Sequence, residues 1–319
     1  MKKTCIIIGA GLSGLTAAHE LIKNNWEVTI LDKGRGVGGR MATRRAGEAR
    51  FDHGAQYFST KTPDFQAFAQ AIIQKNIAKE WHLQEGDTSF SHARVIGTEG
   101  MSNIPKFLAE KLNVITNEKV VNISESGGNI KVITEAGNTY EADAIICTTP
   151  SPQAIELLQK SEIATAEIEH LKEINYDPCI AVMATLKAQT NIPSPGGISL
   201  KNGNIAWVAD NFQKGISPVF SATIHATPAF SSAHFDDDLT QIGHQLLSEI
   251  PNLIAPDSIE SYQVHRWRYS LAAERYSENC LVSKSTKFPL IFAGDGFGIG
   301  NIEGAYISGK SAAQELIKR

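Results

Sequence analysis

Three glycines and an acid near the N-terminus have the types and spacing of a dinucleotide-binding turn. In Gly9-Ala-Gly11-Leu-Ser13-Gly14, the first glycine permits a tight turn and the second lets a pyrophosphate reach the backbone without meeting a Cβ. The third lets the next helix lie close to the preceding strand. Asp32 stands where a carboxylate accepts hydrogen bonds from both hydroxyls of an adenosine ribose, and its charge would repel a ribose 2′-phosphate. Lys33 and the glycine-rich run up to Gly39-Arg40-Met41 follow at once. Their backbone amides and the Arg40 guanidinium suit a diphosphate, although a solvated basic turn would read the same way. These residues alone allow FAD or NAD.

Such a surface needs a strand, a helix and a second strand in that order. Cys5–Ile8 is a short β-branched run of the kind buried on both faces of a parallel sheet, and it stops at Gly9. Leu12, Leu15, Ala18, Leu21 and Ile22 recur on one helical face, Asn24-Asn25 end that helix, and Glu27–Leu31 delivers Asp32 to the end of a strand. The helix N-terminus would then face the phosphates.

The 319 residues suffice for two interleaved domains. A net charge of −4 argues against a nucleic-acid or anionic-membrane partner. No run approaches the length of a transmembrane helix, and the N-terminal apolar run lacks a signal-peptide cleavage site. Cys5, Cys147, Cys179 and Cys280 contain no CxxC pair, so buried thiols in a reducing cytoplasm are expected and no metal site is.

Along the chain, Phe51–Phe58 is a short polar and aromatic segment with His53, Gln56 and Tyr57, and a helix follows Thr62-Pro63. Glu80–Arg94 reads as strand and turn, Val120 lies in a short strand, and Ile130–Thr134 with Thr139–Ala142 form a hairpin. Ala144–Cys147 is another buried parallel strand with a polar end. From there to residue 284, alternating segments suggest a mainly antiparallel sheet, with an amphipathic helix over Asp237–Ile250. His225 closes one of these strands, where its imidazole could project into a cavity or be merely structural; Trp207 and Trp267 could form apolar walls. The expected division is residues 1–62, 100–150 and 285–319 for a dinucleotide-binding domain, and 63–99 with 151–284 for a substrate domain.

The run from Gly9–Gly14 through Asp32 to Gly38-Gly39-Arg40-Met41 resembles the FAD-binding half of the flavin amine oxidase superfamily. Asp52-His-Gly-Ala-Gln-Tyr57, Thr223-Ile-His225-Ala-Thr-Pro228 and Val264-His-Arg-Trp267-Arg-Tyr-Ser270 are similar to segments of its renalase branch. The resemblance implies an α/β fold, a Rossmann-type FAD-binding domain interleaved with a mainly antiparallel β-sheet substrate domain. It makes Gln56 and Tyr57 cofactor contacts, puts Val120 against the adenine, and places His225 by the flavin. Near the C-terminus, Gly294-Asp295-Gly296 puts an acid in a glycine turn where a carboxylate can bind the ribityl chain. Gly300-Asn301-Ile-Glu303-Gly304-Ala305 opens a helix whose N-terminus can stabilise a reduced flavin.

The same resemblance implies noncovalent FAD, hydride taken from 1,2- or 1,6-dihydronicotinamide dinucleotides, and reoxidation by dioxygen to hydrogen peroxide. An amine oxidase or a noncatalytic flavin-binding protein would share the scaffold. Amine oxidases commonly place a lysine-bound water near the flavin, and no such lysine is identifiable from sequence. After Trp207, Asp210-Asn211-Phe212-Gln213 also lacks the basic, proline-containing run associated with many bacterial relatives.

Overall fold

In the computed structural model, which describes residues 2–81, 94–126, 129–161, 163 and 166–319, the β-branched run becomes the strand Thr4–Ile8 at the middle of a sheet. The chain divides into two compact units: Met1–Gly39, Pro105–Tyr176 and Leu271–Arg319 form one, Arg40–Ile104 and Asp177–Ser270 the other.

The first unit is built on six strands in the order Leu281–Val282, Leu290–Phe292, Ala144–Cys147, Thr4–Ile8, Glu27–Asp32 and Asn113–Thr116. All neighbours are parallel except the short edge pair Leu281↔Phe292. On the central strands, Cys5–Ile8 and Ala144–Cys147 are apolar on both faces because both faces are covered. On one face Leu15, Ala18 and Leu21 of the helix Leu12–Lys23 pack with Ala312, Ala313 and Leu316 of the helix Asn301–Ile317. Gly309 makes that helix contact possible, since a Cβ there would lie 2.1 Å from the Ser13 carbonyl oxygen. On the other face lie the antiparallel strands Val120–Ser126, Asn129–Thr134 and Thr139–Ala142 and the helix Ser151–Lys160.

The second unit centres on a five-stranded sheet in the order Gly197–Ser199, Ile205–Asp210, Ser221–Ala226, Asn175–Leu186 and Ile259–Glu274. Its first three neighbouring pairs are antiparallel. One face buries Val182, Ala184, Val208, Ala222 and Ile224 with Ile242, Leu246 and Leu247 of the helix Leu239–Ser248. Asp238 caps that helix by accepting the Gln241 N–H at 2.9 Å. The other face carries His225, directly opposite Trp207 and Ala181 in register, and alternation with buried Ile224 puts it there. The ribbon Thr43–Ala46 and Ala49–Asp52 packs Ala49 and Phe51 on Met183 of this face.

The units change over at 39/40, 104/105, 176/177 and 270/271, whereas the expected crossings were 62/63, 99/100, 150/151 and 284/285. Packing explains each difference. Residues 40–62 join the second unit because Tyr269 and Ser270 carbonyls accept from Arg40 Nη1 at 3.2 and 3.4 Å and Phe51 enters its core. Residues 100–104 follow through the Met101 N–H, which donates to Asp52 Oδ1 at 2.8 Å. The helix Ser151–Lys160 stays with the first unit because Leu157 and Leu158 pack on Ile123, Ile130 and Val132. Leu281 stays there too, paired with Phe292. The strand and turn expected over Glu80–Arg94 falls mostly outside the described residues; Ala78–Trp81 and Arg94–Gly97 at its ends are antiparallel partners.

Candidate functional site

In the first unit the glycine cluster is shaped by contacts that only glycine allows. Gly9 has φ +108°, and a Cβ there would lie 2.6 Å from Thr148 Oγ1, whose hydroxyl donates to the Ile8 and Gly9 carbonyls at 2.9 and 3.1 Å. At Gly14 a Cβ would lie 2.0 Å from the Gly9 carbonyl oxygen. Gly11 is different: a Cβ there would meet nothing within 4 Å. That open space at the start of a helix is the cradle a pyrophosphate needs. Ser13 Oγ is buried there without a hydrogen-bond partner among the described residues. At Gly39, with φ +53°, an added Cβ would lie 3.9 Å from the Gly11 Cα, so the two glycines approach each other.

Asp32 locks the turn as well as presenting its charge. Oδ2 accepts the Ala10 N–H at 2.6 Å and Oδ1 the Gly34 N–H at 2.6 Å. Two amides leave a carboxylate with lone pairs to spare for ribose hydroxyls. Lys33 Nζ donates to Gln153 Oε1 at 2.9 Å, and Val120 opens its strand partly buried. Asp295 and Glu303 are both buried, Glu303 in the first turn of the helix Asn301–Ile317. The Gly304 N–H donates to the Gly300 carbonyl at 2.7 Å, and Ala305 is partly buried. The donors, the glycine cradle and the two buried acids of this unit fit a dinucleotide.

The second unit gathers the remaining candidates around a lysine that sequence reasoning missed. Lys214, fully buried, places Nζ 3.3 Å from Asp52 Oδ2, 3.1 Å from the Gln56 carbonyl and 3.3 Å from Gln56 Oε1. Asp210 builds the turn that carries it: Oδ1 accepts the Phe212 and Gln213 amides, each at 2.9 Å, and Oδ2 accepts Thr190 Oγ1 at 2.6 Å. Asp52 Oδ1 is in turn held by Thr43 Oγ1 at 2.7 Å and the Met101 amide. With Oε1 facing Lys214, the Gln56 amide group donates to the Asp52 and Gly54 carbonyls.

His225 Nε2 lies 3.1 Å from the His53 carbonyl oxygen. A carbonyl only accepts, so Nε2 carries the proton, and Nδ1 of the neutral ring is left as an acceptor. The same carbonyl accepts Trp267 Nε1–H at 2.8 Å, which fixes the indole expected as a wall. Burial pushes the His225 imidazole down to about 4, the His53 carbonyl opposing and the Lys214 charge reinforcing. Burial also pushes His53 down to about 4, reinforced by His265, Arg44 and His225 and opposed by the Ala42 backbone.

These histidines make stability fall in acid. Their folded values lie below the ordinary 6.5, so the unfolded chain binds more protons between the two values. The stabilisation is present above pH 6.5 and is lost as pH falls through about 4, together on the order of a few kcal/mol. Thermal melts from pH 7 to 4 should show this decline, and His225→Gln should flatten part of it. An unchanged slope would remove His225 from the account.

Beside this network stand three aromatic rings. Tyr57, Trp81 and Trp207 have centroids 5.7 to 6.2 Å apart. Gly197 is required between the indoles, because a Cβ would lie 2.5 Å from Trp81 and 2.8 Å from Trp207. Two cations already lie against these rings: Lys214 Nζ 5.2 Å from the Trp81 centroid and the Arg94 guanidinium 4.4 Å from that of Tyr57. The second unit thus brings together His225, Gln56, Tyr57, Trp207 and Trp267. Arg40 and buried Met41 lie at its start, Arg40 fixed by backbone carbonyls.

Comparison with known proteins places this geometry. The family described as flavin containing amine oxidoreductase matches residues 67–317, and an NAD(P)-binding Rossmann-like domain matches residues 7–72. Renalase of Mus musculus is 24% identical, with 98% of each chain covered. The structure of a protein from Exiguobacterium sp. 255-15 described as a protoporphyrinogen oxidase superposes with a TM-score of 0.78 at 13% identity, covering 100% of this chain and 99% of that one. Putrescine oxidase bound to putrescine gives 0.74 at 14% identity, with both chains fully covered. The open space at Gly11, the placement of Asp32 beside it and the family match over most of the chain agree: it belongs to the flavin-containing amine oxidoreductases and takes FAD as its cofactor.

Proposed function

We propose that this chain is a renalase-type oxidase that takes hydride from 1,2- or 1,6-dihydronicotinamide dinucleotides and returns the electrons to dioxygen. The observation that carries this reading is His225, buried and neutral, with its Nε2 proton held by the His53 carbonyl and its Nδ1 left as an acceptor. The same carbonyl holds Trp267, so an acceptor and an indole wall stand together, which suits a neutral, electron-rich dihydropyridine carrying a carboxamide.

Bound noncovalently, FAD supplies the hydride acceptor, N5, and the redox link to dioxygen. The chain's own residues hold and orient. Trp207 and Trp267 wall the ring, and Gln56 and Tyr57 are cofactor contacts. His225 Nδ1 accepts an N–H from the substrate carboxamide, which sets the ring's orientation. Loss of hydride leaves the aromatic nicotinamide cation and releases no proton, so no general base is required. The overall reaction consumes one dihydronicotinamide, one dioxygen and one proton, and yields the nicotinamide cation and hydrogen peroxide.

Rapid anaerobic mixing of the flavoprotein with the 1,2-, 1,4- and 1,6-dihydro isomers and with a panel of amines tests this. Bleaching by the 1,2- or 1,6-isomer alone, and one peroxide per turnover in air, is the expected result; faster bleaching by an amine would make the chain an amine oxidase. His225→Ala should lower kcat/KM about 10- to 100-fold through one lost oriented hydrogen bond. Reduction unchanged at every substrate concentration would end the role assigned to His225.

A further inference from the structure

The outward continuation of the His225 network is basic and, among the described residues, carries no acid. His53 packs edge-on against His265 with centroids 5.0 Å apart and against Trp267 at 5.0 Å, and His265 stands edge-on to Trp267 at 4.5 Å. Gln263 precedes His265 by two residues on the same strand, so both point to one face. Gln263 Oε1 accepts from Arg44 Nε at 2.9 Å. Arg44 is exposed, His265 partly buried and His53 buried, so the three rank from solvent to interior.

Two features of this cluster are unexplained by the protein itself. Among the described residues no carboxylate pairs with Arg44, His265 or His53, so three basic groups are gathered without a counter-charge. His53, 94% buried by its 6% relative exposure, has Nδ1 without a hydrogen-bond partner among the described residues. Burial first, and then the neighbouring basic groups, press both imidazoles toward the neutral form. An anion placed among them would oppose that pressure: the Arg44 guanidinium has N–H donors beyond the one given to Gln263, and each imidazole would gain a proton to donate.

We propose that Arg44, His265 and His53 form an anion subsite that receives the phosphate of the substrate's nucleotide tail. The proposal rests on the dihydronicotinamide reading for the identity of the anion, and on the cluster alone for its existence. The carbonyl of His53 holds both His225 and Trp267, so a ring oriented by those residues has its ribose phosphate directed along the same strand face toward Arg44. The subsite thus selects nucleotides over ribosides and free nicotinamides.

Titration of the holoprotein with inorganic pyrophosphate at pH 6, followed through the histidine Cε1–H resonances in NMR, tests the site without turnover. Saturable movement of the His53 and His265 signals toward their protonated positions is expected. Arg44→Gln should weaken the titration roughly tenfold and Arg44→Lys much less, while Arg268→Gln, which lies against Phe235, should leave it unchanged. No saturable movement, or the same response in Arg44→Gln as in the wild type, would overturn the subsite.

A second arm compares flavin reduction by a dihydronicotinamide mononucleotide and by its riboside. The ratio of the two kcat/KM values should favour the mononucleotide about tenfold and collapse in Arg44→Gln; a ratio indifferent to Arg44 counts against the proposal. If pyrophosphate titrates normally but neither compound reduces the flavin, the substrate reading fails and the anion site stands.

Discussion

Lys214→Met should lower the stability of the protein by about 3–5 kcal/mol, because it leaves Asp52 charged and buried without its partner. The thermal midpoint should fall by about 10 °C. Methionine fills similar volume, so a cavity is not the cause. Asp52→Asn keeps an Oδ1 acceptor for Thr43 and Met101 while removing the negative charge. The double variant Lys214→Met with Asp52→Asn should therefore be more stable than Lys214→Met alone. Simple addition of the two single losses would show that the pair is not coupled. Catalysis should suffer separately: with no ammonium facing Gln56 Oε1, the carboxamide can turn over and present its oxygen to His225. That turn would compete with the His53 carbonyl for the His225 proton.

The dinucleotide half was legible because its chemistry is local. Gly9, Gly11, Gly14 and Asp32 lie within one strand-turn-helix-strand unit, so spacing alone constrains their geometry, and the structure adds that Asp32 also holds the Ala10 and Gly34 amides. The antiparallel character of the second half was readable from alternation, but alternation does not say which strands pair. Lys214 is 162 residues from Asp52, and it stands one residue beyond the Asp210–Gln213 stretch that drew attention for lacking basic residues. A lysine after a turn reads as solvated; only the closed tertiary structure shows it fully buried. Trp81, His265 and Arg44 escaped for the same reason, since Trp207, His53 and Gln263, which they meet, lie far away in sequence. The crossing points moved because Pro150 and Pro152 mark a helix start, and the packing of Leu157 and Leu158, invisible in local pattern, decides where that helix belongs.

The two glycines flanking Ser13 should separate cofactor binding from folding. Gly11 is the residue before the helix, with φ −75° and ψ 178°, a conformation open to any L-residue, and its Cβ position is empty. Gly11→Ala should therefore fold as well as the wild type in the apoprotein, and could gain about 0.4–1 kcal/mol from the stiffer unfolded chain. Its FAD affinity should nonetheless fall at least roughly tenfold, because the new methyl occupies the space the pyrophosphate needs. Gly14→Ala places its Cβ on the Gly9 carbonyl oxygen. That collision is with backbone and has no side chain to yield, so the apoprotein itself should lose about 1–3 kcal/mol or more. Melting of both apoproteins and FAD titration by flavin fluorescence quenching distinguish the cases. Wild-type FAD affinity in Gly11→Ala would mean that the open cradle at Gly11 is not where the diphosphate lies. An apoprotein melt of Gly14→Ala equal to the wild type would mean that the helix can slide away from the strand, and that close strand-helix contact is not what fixes the turn.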